Sequence, residues 1–126
     1  MENKKSLRIC IDLDGTICEL RKNHQSYSDI LPKKGAAEMI EKLRKNGHTI
    51  IIYTARNMKT QNHNVGKVVK NIGKITLDWL EKYQIYYDEI FFGKPNADLI
   101  IDDRCFRFES WENINEELII KLAKDE

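Results

Sequence analysis

Four short apolar segments, each followed by small or charged residues, constrain this sequence more than anything else in it. Leu7 to Leu13, Thr49 to Thr54, Glu89 to Phe92 and Asp98 to Ile101 are rich in Ile, Phe and Tyr. Their apolar runs are too continuous for strands with one wet face and suit a parallel sheet covered on both faces. Between the first two, Ala36, Met39, Ile40 and Leu43 recur at helical spacing, and Gly47 follows where a left-handed cap would sit. A second helix is expected from about Lys67 or Ile75 to Tyr83, with Ile75, Trp79 and Leu80 inward, and a third over Ile114 to Leu122. The order β, α, β, α, β, β, α predicts right-handed crossovers onto a doubly wound, Rossmann-like parallel sheet. In such an α/β fold the functional residues gather at the carboxyl ends of the strands.

The chain has 126 residues, the length of one domain spanning residues 1–126. Apolar residues make up 41% and charged residues 33%, with only 6 Gly and 2 Pro, so a core can form and no linker or low-complexity stretch is indicated. Lys and Arg total 21 against 20 acidic residues, and a net charge of +1 gives no general attraction to nucleic acid. Cys10, Cys18 and Cys105 form no C-x-x-C pair, which argues against a zinc ribbon or a disulfide framework and for a reducing cytoplasm. Met1 to Leu7 is polar and basic, and Asp12 interrupts the apolar run behind it, so neither a signal segment nor a membrane span is expected.

The first segment runs into Asp12-Leu13-Asp14-Gly15-Thr16, so two carboxylates emerge together and Gly15 lets the backbone turn directly after them. Neighbouring anions need a cation. Mg²⁺ suits them, taking one or two carboxylates plus waters and phosphate oxygens, although D-G-T reads equally as an ordinary turn after a strand. Thr54 ends the second segment, where its hydroxyl could donate to a phosphoryl oxygen or serve structure alone. Lys94 follows the third, either as a counter-charge that also holds phosphate or as an exposed loop lysine. Asp102-Asp103-Arg104 follows the fourth, a second acidic pair that needs a cation or a lysine unless solvent carries it.

Taken in order, D-x-D-G-T, a strand-end Thr, a Lys and a strand-end D-D resemble the haloacid dehalogenase (HAD) superfamily of phosphohydrolases over nearly the whole chain. Within it, Tyr53-Thr54-Ala55-Arg56-Asn57-Met58, Asn64-Val65-Gly66-Lys67 and the stretch from Tyr87 to Pro95 are similar to the capsular polysaccharide biosynthesis phosphatase group. The resemblance implies that Asp12 is the nucleophile, forming an aspartyl-phosphate, and that Asp14 is the acid for the leaving oxygen and then the base for water. A carboxylate can take the phosphoryl group and split one displacement into two, provided a cation screens its approach to an anionic ester. The resemblance also implies Mg²⁺ held by Asp12, the backbone carbonyl of Asp14 and one of Asp102 and Asp103. Thr54 and Lys94 would contact the phosphoryl oxygens, with Gly15, Thr16 and Ala55 as further substrate contacts.

Many HAD enzymes carry an inserted cap domain, and this chain has room for none. Ile17 to Lys33 suffices for a flap hairpin or loop, and Asn57 to Lys74 reads as a polar loop with His63, Gly66 and Gly73. These loops, or a neighbouring subunit of a homo-oligomer, would have to exclude water and select substrate. Arg56 and Arg104 could reach an anionic substituent of the substrate or remain solvated. His24, His48 and His63 lack ligand spacing and read as surface or loop residues. The expected partner is a small phosphorylated metabolite, a sugar phosphate or phosphorylated sugar acid in surface polysaccharide synthesis by resemblance. The alternatives are a 5′-nucleotidase or other metabolite phosphatase, a receiver-like signalling domain, whose motif order differs, and an inactive partner domain, opposed by competent residues at all four motif positions.

Overall fold

The computed structural model describes residues 6–123; the polar start read at Met1 to Lys5 lies outside them, as do residues 124–126. Strands β1 (Arg8–Asp12), β2 (Thr49–Thr54) and β3 (Glu89–Phe92) form a parallel sheet in the order β1-β2-β3. Helices α1 (Ala36–Lys45) and α2 (Val65–Lys82) are the two crossovers, and α3 (Glu116–Leu122) follows near the end. This is the expected parallel α/β architecture without an inserted cap domain, although both crossover helices lie on one face of the sheet rather than one on each.

Ile9 lies opposite Ile50, and Ile11 opposite Ile52, which also faces Ile90. Strand side chains alternate, so these five isoleucines share one face, where they pack with Ile40 and Leu43 of α1 and Trp79 and Leu80 of α2. Two right-handed crossovers stepping the same way across the sheet place both helices on that face. Each fully buried Ile or Leu contributes about 1.5–3 kcal/mol over leaving it exposed. The other face carries Cys10, Ile51, Tyr53 and Phe91, with the Phe91 ring edge-on to Tyr53 at 6.4 Å and the Arg8 guanidinium forked onto Glu89.

The fourth expected strand does not form. Asp98 to Ile101 pairs with nothing in the sheet, and Leu99, Ile100 and Ile101 are exposed. Its apolar side chains are left uncovered, so burial gives the segment no reason to stay on one sheet edge. The polar loop expected over Asn57 to Lys74 is also shorter than the sequence suggested. Asn64 caps α2 by accepting from the Lys67 N–H, and Val68 and Ile72 are buried, so most of that stretch is helix. Likewise α3 starts at Glu116, capped by Asn115, two residues beyond the expected Ile114.

The flap from Ile17 to Lys33 is tied down at both ends. Lys33 N–H donates to Ile17 O at 2.8 Å and Glu19 N–H to Leu31 O at 2.9 Å. Trp79 Nε1 donates to Ile30 O at 2.6 Å, and Trp111 Nε1 to Thr16 O at 2.8 Å. His48 corrects its surface assignment, since its side chain is buried, accepting from Leu7 N–H at Nδ1 and lying 3.1 Å from Glu116 at Nε2. No helix among the described residues is long and apolar enough to cross a membrane.

Candidate active site

Asp12 is the last residue of β1, and the chain turns at once behind it. Ile17 N–H and Cys18 N–H both donate to Leu13 O, and Gly15, at φ 86°, makes the turn that an L side chain would strain. The turn presents both carboxylates at the carboxyl edge of the sheet. Lys94 comes to the same edge because its backbone N–H donates to Thr54 O at 3.0 Å. Gly93 before it has φ 93°, and a Cβ there would meet Val65 Cγ2 at 2.8 Å, so the approach of α2 to this loop requires glycine.

Lys94 Nζ is 3.1 Å from Asp12 Oδ1, and the Thr16 hydroxyl donates to Asp12 Oδ2 at 3.4 Å. Burial pushes the Asp12 carboxyl above the usual aspartate range, with Lys94 opposing that push and the Asp14 charge adding to it.

Asp14 is held differently. Arg56 donates to it from Nη2 at 2.7 Å and from Nε at 3.1 Å, and the Thr54 hydroxyl donates at 2.9 Å. The Arg56 side chain is 1% exposed against 23% for Asp14. A guanidinium so placed needs every side satisfied, and Nη1 donates to Thr76 Oγ1 at 3.1 Å while the Tyr27 ring centre lies 4.2 Å from Cζ. The Cys18 thiol is pushed up to about 12 by burial and then by Asp14, so it stays protonated near neutrality and is no nucleophile.

A cleft of about 390 Å³ opens over these groups, lined by Asp12, Asp14, Ala55, Arg56 and Lys94, by Leu20, Arg21 and Tyr27 of the flap, and by Pro95 to Ala97 and Ile100. Asp12, Asp14, Thr54, Ala55, Arg56 and Lys94 are therefore brought together, with Gly15 and Thr16 in the turn beneath. Two expected contacts differ in use: the Thr54 hydroxyl and the Arg56 fork are both engaged with Asp14. Asp102, Asp103 and Arg104 are exposed outside the cleft lining, and Asp102 Oδ1 accepts from the Arg104 N–H at 2.9 Å.

Among the described residues no group of three or more His, Cys, Asp or Glu is gathered to hold a metal. The Asp12 carboxylate and the Asp14 carbonyl nevertheless offer two hard oxygen donors, and no backbone hydrogen bond among the described residues ends on that carbonyl. Mg²⁺ binds through few protein oxygens and keeps several waters, so this donor set fits it.

Sequence reasoning missed Arg21, Tyr27 and Thr76. Thr76 carried a readable signal, a hydroxyl on the inward stripe of α2 with Ile72 and Leu80, which demands a buried partner. Tyr27 carried none, because its contact with Arg56 exists only once the flap has folded over.

Residues 9–91 match the family model of haloacid dehalogenase-like hydrolases. A solved structural-genomics target from Vibrio cholerae shares 37% identity over 94% of this chain and 96% of its own, with a TM-score of 0.80. The fold also recurs, at 21% identity, in the Pnkp1/Rnl/Hen1 complex, where the match covers 81% of this chain and 32% of that one with a TM-score of 0.51. No curated protein matches the sequence.

Proposed function

Because the chain belongs to the haloacid dehalogenase-like hydrolases, we propose that it is a Mg²⁺-dependent phosphomonoesterase working through an aspartyl-phosphate on Asp12. The observation that carries this reading is the division of labour between two carboxylates in one cleft: among the described residues Asp12 lies against Lys94 alone of the cations, and Asp14 is fixed by Arg56 and Thr54. A nucleophile must face the ester, and an acid–base group must be held still beside it.

Asp12 attacks phosphorus, and Lys94 steadies both the carboxylate and the phosphoryl oxygens. Asp14 gives a proton to the leaving alkoxide and afterwards takes one from water, a role worth about 10²- to 10⁴-fold in rate. Mg²⁺, bound through the Asp12 carboxylate and the Asp14 carbonyl, would screen these anions from the anionic ester. Asp102 and Asp103 would complete such a site only after a movement of the segment that bears them.

The motif likeness to capsular polysaccharide phosphatases supports a sugar phosphate or phosphorylated sugar acid of surface polysaccharide synthesis as substrate. The free Cys10, Cys18 and Cys105 support a reducing compartment. Phosphate release from sugar phosphates, phospho-acids and nucleoside monophosphates, each with Mg²⁺ and with chelator, tests this reading. Release confined to Mg²⁺ and highest on sugar phosphates is expected. Preference for nucleoside monophosphates would make the protein a nucleotidase, and full release under chelation would refute the metal role.

A further inference from the structure

Among the described residues the cleft lining contains two carboxylates and three cations, and two of the cations are matched. Lys94 lies 3.1 Å from Asp12 and Arg56 lies 2.7 Å from Asp14. The third is Arg21, which reaches the cleft from the flap and forms no ion pair with a carboxylate among the described residues. A cation left over in a cleft that already balances its own anions is a site for an anion brought from outside.

The Arg21 side chain is held in place without being consumed. Its Nη1 donates to Gln25 O at 3.0 Å, and its Cζ lies 5.3 Å from the centre of the Tyr27 ring that also carries Arg56. Gln25 is fixed in turn, accepting from the Lys22 N–H at 2.9 Å and donating to Asp29 O at 3.2 Å. One of five guanidinium N–H donors is therefore used inside the flap, and the rest of the fork remains for a ligand. A pre-set fork loses little freedom on binding carboxylate or phosphate.

We propose that Arg21 binds a second anionic group on the substrate, so that the preferred esters are phosphate monoesters also bearing a carboxylate or another phosphate. This rests on the phosphomonoesterase reading for the first group, which Asp12 and Lys94 take at the strand ends. The flap is a separate wall and meets the remainder of the molecule. The same observations set aside Arg56 for this task, because its fork is buried on Asp14, and Arg104, which lies outside the cleft lining.

Two pairs of probes differ only at C1: open-chain glucitol 6-phosphate and 6-phosphogluconate, and cyclic glucose 6-phosphate and glucose 1,6-bisphosphate, each read as loss of the 6-phosphate. With Mg²⁺ present, kcat/KM is expected to be about tenfold higher for at least one probe bearing the second anion than for its counterpart without it, as a charged fork contact supplies. The better of the two identifies carboxylate or phosphate as the group read. Arg21→Gln should collapse that ratio toward one, and Arg21→Lys should retain part of it. The same ratio, read as binding to the Asp12→Asn variant by calorimetry, separates the two readings. If no probe is hydrolysed by the wild type yet the binding ratio still depends on Arg21, the phosphatase reading fails alone. A ratio near one in the wild type, or an equal ratio in Arg21→Gln, overturns the role of Arg21.

Discussion

Arg56 shows how a buried charge is kept: its fork closes on Asp14, its remaining edge meets Thr76, and Tyr27 covers its face. Removing it would strand a half-buried carboxylate. Arg56→Ala is expected to cost about 3 kcal/mol, the low end for breaking a buried pair because Asp14 keeps some solvent, with Arg56→Lys in between; urea unfolding measures both. In folded Arg56→Lys, activity should fall more on alkyl phosphates than on p-nitrophenyl phosphate, since only the former need Asp14 as acid.

Asp12 is the opposite case. Burial raises its pKa against the pull of Lys94, so the folded protein holds this proton more tightly than the unfolded chain does. Its contribution to stability is thus present at low pH and is lost as pH rises through its folded pKa. In chelator at pH 7, Asp12→Asn should melt no lower than wild type, and any gap should close below the ordinary aspartate range. A lower Tm for the variant at pH 7 would mean that the Lys94 pair outweighs burial. The sequence showed Asp12, Asp14 and Lys94 as strand-end residues, because position after an apolar run is written in the order of residues. That Thr54 and Arg56 serve Asp14 was not legible, since it depends on side-chain directions set by α2 and the flap.

At the level of elements, α1 and the first three strands could be read closely, because apolar spacing and Gly47 report burial and chain reversal directly. Two elements differ from what their sequences predict, for different reasons. Asp98 to Ile101 has strand composition, but composition does not name an edge to pair with. Asn57 to Lys74 is polar overall and predicts a later start for α2 than the structure shows, although Asn64 stands three residues before Lys67 as a cap should. His48 was invisible as a core residue, because its partners lie at Leu7 and Glu116, far away in sequence. Leu7 donates to Nδ1, so the neutral ring carries its proton on Nε2 and donates to Glu116. His48→Ala would release this three-way link, at an expected cost of about 2–4 kcal/mol from cavity and lost hydrogen bonds. Amide exchange should rise across α3 before the sheet, and a uniform rise would assign His48 to the global core instead.

The molecule as a whole is a parallel sheet with its chemistry at one edge and no inserted domain above it. A tied-down flap stands over that edge, and its Arg21 pairs with no carboxylate among the described residues. Fold and family follow from the strand order and the match over residues 9–91, whereas the phosphoryl chemistry rests on Asp12 receiving the phosphoryl group. Acid quenching during turnover of a ³²P-labelled sugar phosphate with Mg²⁺, followed by peptide mapping, tests that step directly. Label on the peptide containing Asp12, absent from a folded Asp12→Asn variant, is the expected result; turnover with no label on the protein, or label that persists in that variant, would contradict it.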